Sequence, residues 1–115
     1  MTLCLKKHIL LVISVLITSI AFAQGDLKLA NELFDEGKYV EAKEKFSTLL
    51  ALDQTNPDLN FKFGACLLYT DEDKVKGLGH LQFALSDPNI DSRAYYFIGK
   101  AYHLNYRFKE AIAAY

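Results

Sequence analysis

Small residues recur in this chain at a fixed step, and that step limits the folds open to it more than any other feature. Ala30, Gly64 and Gly99 are separated by 34 and 35 residues, and Ala42, Gly77 and Ala111 by 35 and 34. Each lies in a stretch whose apolar residues return every three or four positions, the period of an amphipathic helix. "DLKLANELFDEG" places Leu29, Leu33 and Phe34 on one face, and Gly37 ends it as a C-terminal cap. "YVEAKEKFSTLLAL" sets Ala42, Phe46, Leu49 and Leu50 at helical spacing. Asn56-Pro57 is an N-cap followed by proline at the first helical position, opening the third helix, "DLNFKFGACLLY". "KVKGLGHLQFAL" is the fourth, although its two glycines cost about 1 kcal/mol each against alanine, and Pro88 stops it. Asp91 or Ser92 caps the fifth, "RAYYFIGKAYHL", and a sixth begins near Phe108.

Six helices joined by a few residues each predict antiparallel neighbours. A small residue at the same depth in both helices of a pair lets the two backbones approach closely. Larger side chains fill the rest: Leu29, Leu33 and Phe46 in the first pair, Phe63, Leu67 and Leu81 in the second, Ile98, Tyr102 and Tyr115 in the third. Self-similarity at a period near 34 predicts an all-α, antiparallel helix-pair solenoid of about two and a half repeats. The units span residues 24–56, 57–91 (the most divergent) and 92–115, the last stopping short of its final turns.

The third unit reads Tyr95-x-x-Ile98-Gly99-x-x-Tyr102, then Ala111-x-x-x-Tyr115. This resembles the tetratricopeptide repeat, whose pattern is aromatic-x-x-Leu-Gly-x-x-Tyr, then Ala-x-x-x-Phe, then Pro. The first unit offers Asp26-x-x-Leu29-Ala30-x-x-Leu33 and Ala42-x-x-x-Phe46, with Gln54 at the family's proline and Pro57 three residues later. The second offers Asn60-x-x-Phe63-Gly64-x-x-Leu67, then Gly77-x-x-x-Leu81 after one extra residue in the turn around Thr70–Asp73. The resemblance covers residues 24 to 115.

The first 23 residues are of another kind. Lys6 and Lys7 precede an uncharged apolar run from Ile9 to Ile20, and Ala21-Phe22-Ala23 supplies small residues at the cleavage spacing. This predicts a secretory signal peptide at 1–23, cut after Ala23. The alternative is a retained anchor, but Ile9 to Ala23 is 15 residues where a spanning helix needs about 20. Cys4 precedes the apolar run, so it is not the lipid-bearing cysteine of a lipoprotein leader.

The leader holds two lysines and no acid. Of the 13 Lys and Arg in the chain, 11 therefore remain against 14 Asp and Glu, a net charge of −3. A mildly acidic chain lacks the basic footprint of a nucleic-acid binder. Cys66 is the one cysteine left after cleavage, so no internal disulfide forms, and it reads as a small core residue.

Motifs that suggest chemistry fail on context. Gly99-Lys100 is followed by Ala101 and lies mid-helix, where its amides are already bonded, so it is no phosphate loop. Gly77-Leu78-Gly79 has Gln82 at the third glycine position of a dinucleotide fingerprint and no preceding strand. His80 and His103 lie in different repeats without further ligands at zinc spacing. Ser86 and Ser92 sit at helix ends, where serine caps. Asp71-Glu72-Asp73 reads as a solvated turn without the longer ligand loop of a calcium site. No catalytic residue, metal or cofactor is expected.

What remains is surface. In tetratricopeptide arrays the first helix of each pair lines a concave groove. By that resemblance the groove residues are Leu27, Asn31 and Phe34, then Phe61, Ala65, Leu68 and Tyr69, then Tyr96, Lys100 and His103. The residues agree in part: Phe61 beside Phe63 and Tyr95 beside Tyr96 exceed what one buried stripe requires. Such a surplus reads either as a binding surface or as packing between adjacent repeats. Leu27 stands where the family's carboxylate-gripping mode places lysine, so that mode is not expected. The expected role is a non-enzymatic scaffold for a protein or peptide partner in the bacterial cell envelope, on the periplasmic side. Large envelope proteins of this kind continue into a β-propeller and an OmpA-like domain, through which a peptidoglycan or outer-membrane link would run. The alternatives are the extracytoplasmic sensor region of a membrane histidine kinase and the non-catalytic front of a secreted enzyme.

Overall fold

The computed structural model describes residues 2–70 and 73–114, with side chains as far as Arg107. Asp71 and Glu72 of the acidic turn, and Tyr115 of the third unit, lie outside the described residues. Among the described residues the fold is all-α: α1 Thr2–Asp35, α2 Tyr39–Leu52, α3 Pro57–Tyr69, α4 Lys74–Ala84 and α5 Arg93–Ala114.

Local chemistry sets most helix ends. Gly37 adopts φ 77° after α1, where an L side chain is strained. Its N–H donates to the Phe34 carbonyl (3.0 Å) and the next N–H, of Lys38, to that of Leu33 (2.9 Å), a Schellman closure. The Asn56 side chain accepts from the Leu59 N–H at 3.1 Å, with Pro57 at the first helical position. Asp73 caps α4 by accepting from Val75 and Lys76. Asp91 accepts from the Arg93 N–H at 2.9 Å, opening α5.

Successive helices pack on one another, and α3 also meets α5. The central helix is α3, buried at every position from Leu59 to Leu68. The core draws on all five helices, with Phe34, Phe46, Phe61, Leu67, Leu81 and Phe97 among its large members. One of the expected close approaches is present. A Cβ on Gly64 would stand 2.9 Å from the Gly77 carbonyl oxygen, and one on Gly77 3.1 Å from that of Gly64. Ala30 and Ala42 are both fully buried.

The third pair departs from expectation. The predicted fifth and sixth helices are one: α5 runs for 22 residues through the stretch where a break was expected. "HLNYRFKE" contains neither glycine nor proline to stop it. Asn105, the one residue there that favours helix ends, turns its amide inward instead, donating to the carbonyls of Ala101 (2.8 Å) and Lys74 (3.3 Å). Gly99 therefore faces open space, with nothing within 4 Å of a Cβ placed there. Tyr102, expected to pack, is 52% exposed, and Leu29 in the first pair is also exposed.

At the other end α1 runs unbroken through Ala23. Its residues up to Phe22 are exposed, and its buried members are Ala30 and Phe34. The helix has 34 residues, about 51 Å at 1.5 Å per residue, and gives the molecule a long axis of 74 Å against 29 and 26 Å. By length and composition it is the one helix among the described residues that could cross a membrane, a test that a signal sequence also passes.

Candidate interaction surface

The repeat register aligns the predicted groove residues in columns, one member from each of α1, α3 and α5: Leu27, Phe61, Tyr96; Asn31, Ala65, Lys100; Phe34, Leu68, His103. Four of these residues have no surface to offer. Phe34, Phe61, Ala65 and Leu68 are buried core side chains. The reason is that α3 lies between the other two. The rings of Phe34, Phe61 and Phe97 meet with centroids 5.7 to 5.8 Å apart, in edge-on and tilted contacts. The floor of the expected groove is thus filled by the chain's own aromatics, and Phe61→Ala would open a core cavity rather than trim a surface.

Besides Leu27, exposed on α1, five of the predicted residues keep accessible surface, and four of them gather around one platform. Tyr69, at the end of α3, is 37% exposed and stacks on Tyr39 at the start of α2, with centroids 4.3 Å apart and planes 12° from parallel. Lys100 Nζ donates to the Tyr69 hydroxyl at 2.8 Å and lies 4.2 Å from that ring's centroid. Tyr96, 65% exposed, leans on Phe97, and His103 is exposed one turn beyond Lys100. The hydrogen bond that Lys100 donates to Tyr69 is the main influence raising the Lys100 pKa, and burial raises that of the Tyr39 phenol. At neutral pH the platform is therefore an aromatic floor with one fixed ammonium. Tyr39 carries no periodic signal as the first residue of a second helix, and the sequence reading missed it.

Asn31, the fifth, stands apart and is engaged. Lys62, buried on α3, donates to Asn31 Oδ1 at 2.6 Å and pairs with Asp58 at 3.0 Å. A lysine inside an otherwise apolar helix, four residues after an aspartate, was the available signal. Nearby, Arg93 fastens α5 to the end of α1. It donates to Asp35 (2.9 Å) and twice to Asp91 (2.8 and 3.0 Å), and its guanidinium lies 5.6 Å from the centre of the Phe34 ring. The same bonds hold the Asp91 carboxyl below its usual range and raise the Arg93 pKa further.

The other candidate groups are occupied structurally. His80 Nδ1 lies 2.8 Å from Asn60 Oδ1, while the buried Asn60 amide donates to the carbonyls of Gln54 and Asn56. That network places the proton of the neutral ring on Nδ1, and burial, with Lys76 nearby, lowers the His80 pKa. Burial pushes the Cys66 thiol up to about 12, so no thiolate is present at neutral pH. Ser86 donates to the Phe83 carbonyl at the end of α4. Among the described residues no group of three or more His, Cys, Asp or Glu could hold a metal ion. A groove of about 320 Å³ lies between α1, the end of α2 and the start of α3, with Ile20 and Ala23 of α1 on one wall and Leu49 and Leu59 on the other.

No protein-family model, curated protein or solved structure matches the chain.

Proposed function

We propose that the chain is an exported protein-interaction module: a tetratricopeptide-like helix-pair solenoid of the bacterial envelope that presents a preformed surface and performs no chemistry. The observation that carries this reading is the Tyr39–Tyr69–Lys100 platform, with Tyr96 and His103 open beside it. Rings already stacked and a lysine already tethered lose little freedom when a partner arrives, which favours binding per contact. The chemistry suits a protein or peptide segment offering an apolar side chain to the rings and an acidic group to Lys100 and His103. The close passages of Gly64 with Gly77 and burial of Ala30 and Ala42 support the repeat architecture. Exposure of the leader supports export, because a cut after Ala23 leaves both buried residues of α1 in place. Any peptidoglycan or outer-membrane link belongs to domains beyond this chain.

One observation favours a second reading. The unbroken, apolar α1 suits retention as an anchor, and the chain would then be the extracytoplasmic sensor region of a membrane histidine kinase. Sequencing the N-terminus of the exported protein separates the two: Gln24 means cleavage, and an intact leader means anchoring.

The surface itself is tested with a photo-reactive phenylalanine analogue in living cells. Placed at Tyr96 it forms a discrete protein adduct. Placed at Val75, exposed on α4, it forms none. Equal labelling at both sites, or none at either, removes the platform as the binding surface.

A further inference from the structure

A recess of about 230 Å³ opens between α2 and α4, with Phe63 of α3 behind it. Side-chain size makes it. Ser47 and Ala51 stand one turn apart on α2 and are too short to reach across to α4. Leu50 and Phe63, both buried, supply an apolar floor. Lys76 and His80, one turn apart on α4, form the far wall, and Gln54 lies just past the end of α2. Unlike the larger groove beside Ile20 and Ala23, this recess is lined only by residues that follow Ala23, so it survives a cut there.

The polar groups of the far wall are not used up by the fold. Lys45 and Lys62 have carboxylate partners in Asp26 and Asp58. Among the described residues the Lys76 ammonium meets only a ring, its Nζ lying 5.7 Å from the centre of Phe63. The His80 ring stands edge-on to the same phenylalanine, with centroids 5.0 Å apart. Its Nδ1 is committed to Asn60 Oδ1 at 2.8 Å, which leaves Nε2 as the nitrogen free for a ligand. The charged group that acts on His80 is Lys76, and the other residues of the recess carry no charge. One ammonium and one imidazole thus share an apolar-floored recess with no carboxylate to balance them, in a chain where acids outnumber bases.

We propose that this recess binds a small carboxylate with an apolar body, its anionic group held by Lys76 and His80 and its body against Leu50 and Phe63. Size sets the class. The volume is below the roughly 300–1,000 Å³ of sites for drug-sized ligands, so it admits a single ring or a short branched chain. Lys76 supplies a charge-assisted hydrogen bond to the carboxylate. As the anion arrives, His80 Nε2 takes a proton from solvent and donates it to the second oxygen. Binding therefore takes up a proton and strengthens as pH falls. The site shares no residue with the Tyr39–Tyr69–Lys100 platform and stands or falls apart from it.

The test uses the full chain in mild detergent, with isotope-labelled histidine and phenylalanine and phenylacetate as the probe, followed by NMR. Phenylacetate shifts the ring signals of His80 and Phe63, and at saturation it raises the His80 pKa. Lys76→Gln changes an exposed side chain, so circular dichroism stays the same, while the probe binds about tenfold more weakly. Lys28→Gln, exposed on α1, leaves the affinity as it was. Phenylethanol, which keeps the ring without the charge, and acetate, which keeps the charge without the ring, each bind about tenfold more weakly than phenylacetate. Phenylethanol binding as tightly as phenylacetate reduces the recess to an apolar patch and overturns the proposal. Acetate binding as tightly reduces it to a surface charge contact and does the same. So does the absence of shifts at His80, or an affinity indifferent to Lys76→Gln.

Discussion

A methyl group added at Gly64 and one added at Gly79 should act in opposite directions. Gly64 faces the Gly77 carbonyl at a distance no Cβ tolerates, so Gly64→Ala forces α3 and α4 apart and costs about 1–3 kcal/mol. Gly79 has open space around it, so Gly79→Ala gains about 1 kcal/mol from helix propensity alone. Urea denaturation of the two variants checks both signs. His80 makes a prediction of a different sort. Its folded-state pKa lies below the ordinary value of 6.5, so the unfolded chain takes up a proton there that the folded chain refuses. Stability is full above about pH 6.5 and declines as pH falls from there through the folded pKa. The melting temperature therefore drops between pH 7.5 and 5.5, and His80→Gln flattens that segment of the profile; an unchanged slope would remove His80 as its source. At this scale the sequence was most readable where the chemistry is local, as at Asn56-Pro57, Gly37 and Asp91. It was least readable at Phe61, because a groove column and a core column look alike when both are apolar and only the flanking helices decide between them.

Helix boundaries follow the same logic one level up. Each of the five helices starts or ends near turn residues that the sequence displays. The continuation of α5 past Leu104 is the exception, and the cause is visible in retrospect: periodicity asked for a break there, but no residue provides one. The packing pattern was legible and the turn was not. In α1 the apolar N-terminal stretch and the residues after Ala23, distinct in composition, share one continuous backbone. A chain beginning at Gln24 should keep α2 to α5 and melt within a few degrees of the full chain, since the residues up to Phe22 are exposed. Circular dichroism of the shortened chain checks this. A lost or broadened transition would show instead that Ile20 and Ala23, which wall the groove against Leu49 and Leu59, belong to the core.

In the molecule as a whole, burial is concentrated in the middle. The central helix α3 is enclosed along ten successive residues, while the faces of α1 and α5 turned away from it are open. In linear arrays stability comes from neighbours as well as from each unit, so the helix with neighbours on both sides opens last. Amide exchange should be slowest in α3, intermediate in α2 and α4, and fastest in α1 before Ala23. Uniform protection across the five helices would mean one cooperative block. Helical class, the 34-residue period and the close crossing of Gly64 with Gly77 were legible in the sequence because the pattern repeats. The platform of Tyr39, Tyr69 and Lys100 was legible only in part, because it joins residues from three helices whose relative placement no local pattern records.

The exposed N-terminal stretch has a consequence for the order of events under the export proposed above. Since Thr2 to Phe22 contribute nothing buried, the body would gain its fold without them and lose none of it on cleavage. Precursor and product would then present the same folded face to the rest of the cell. Whatever kept the precursor threadable for passage through a membrane would have to act before the body closed, with only the bare apolar rod by which to tell one form from the other.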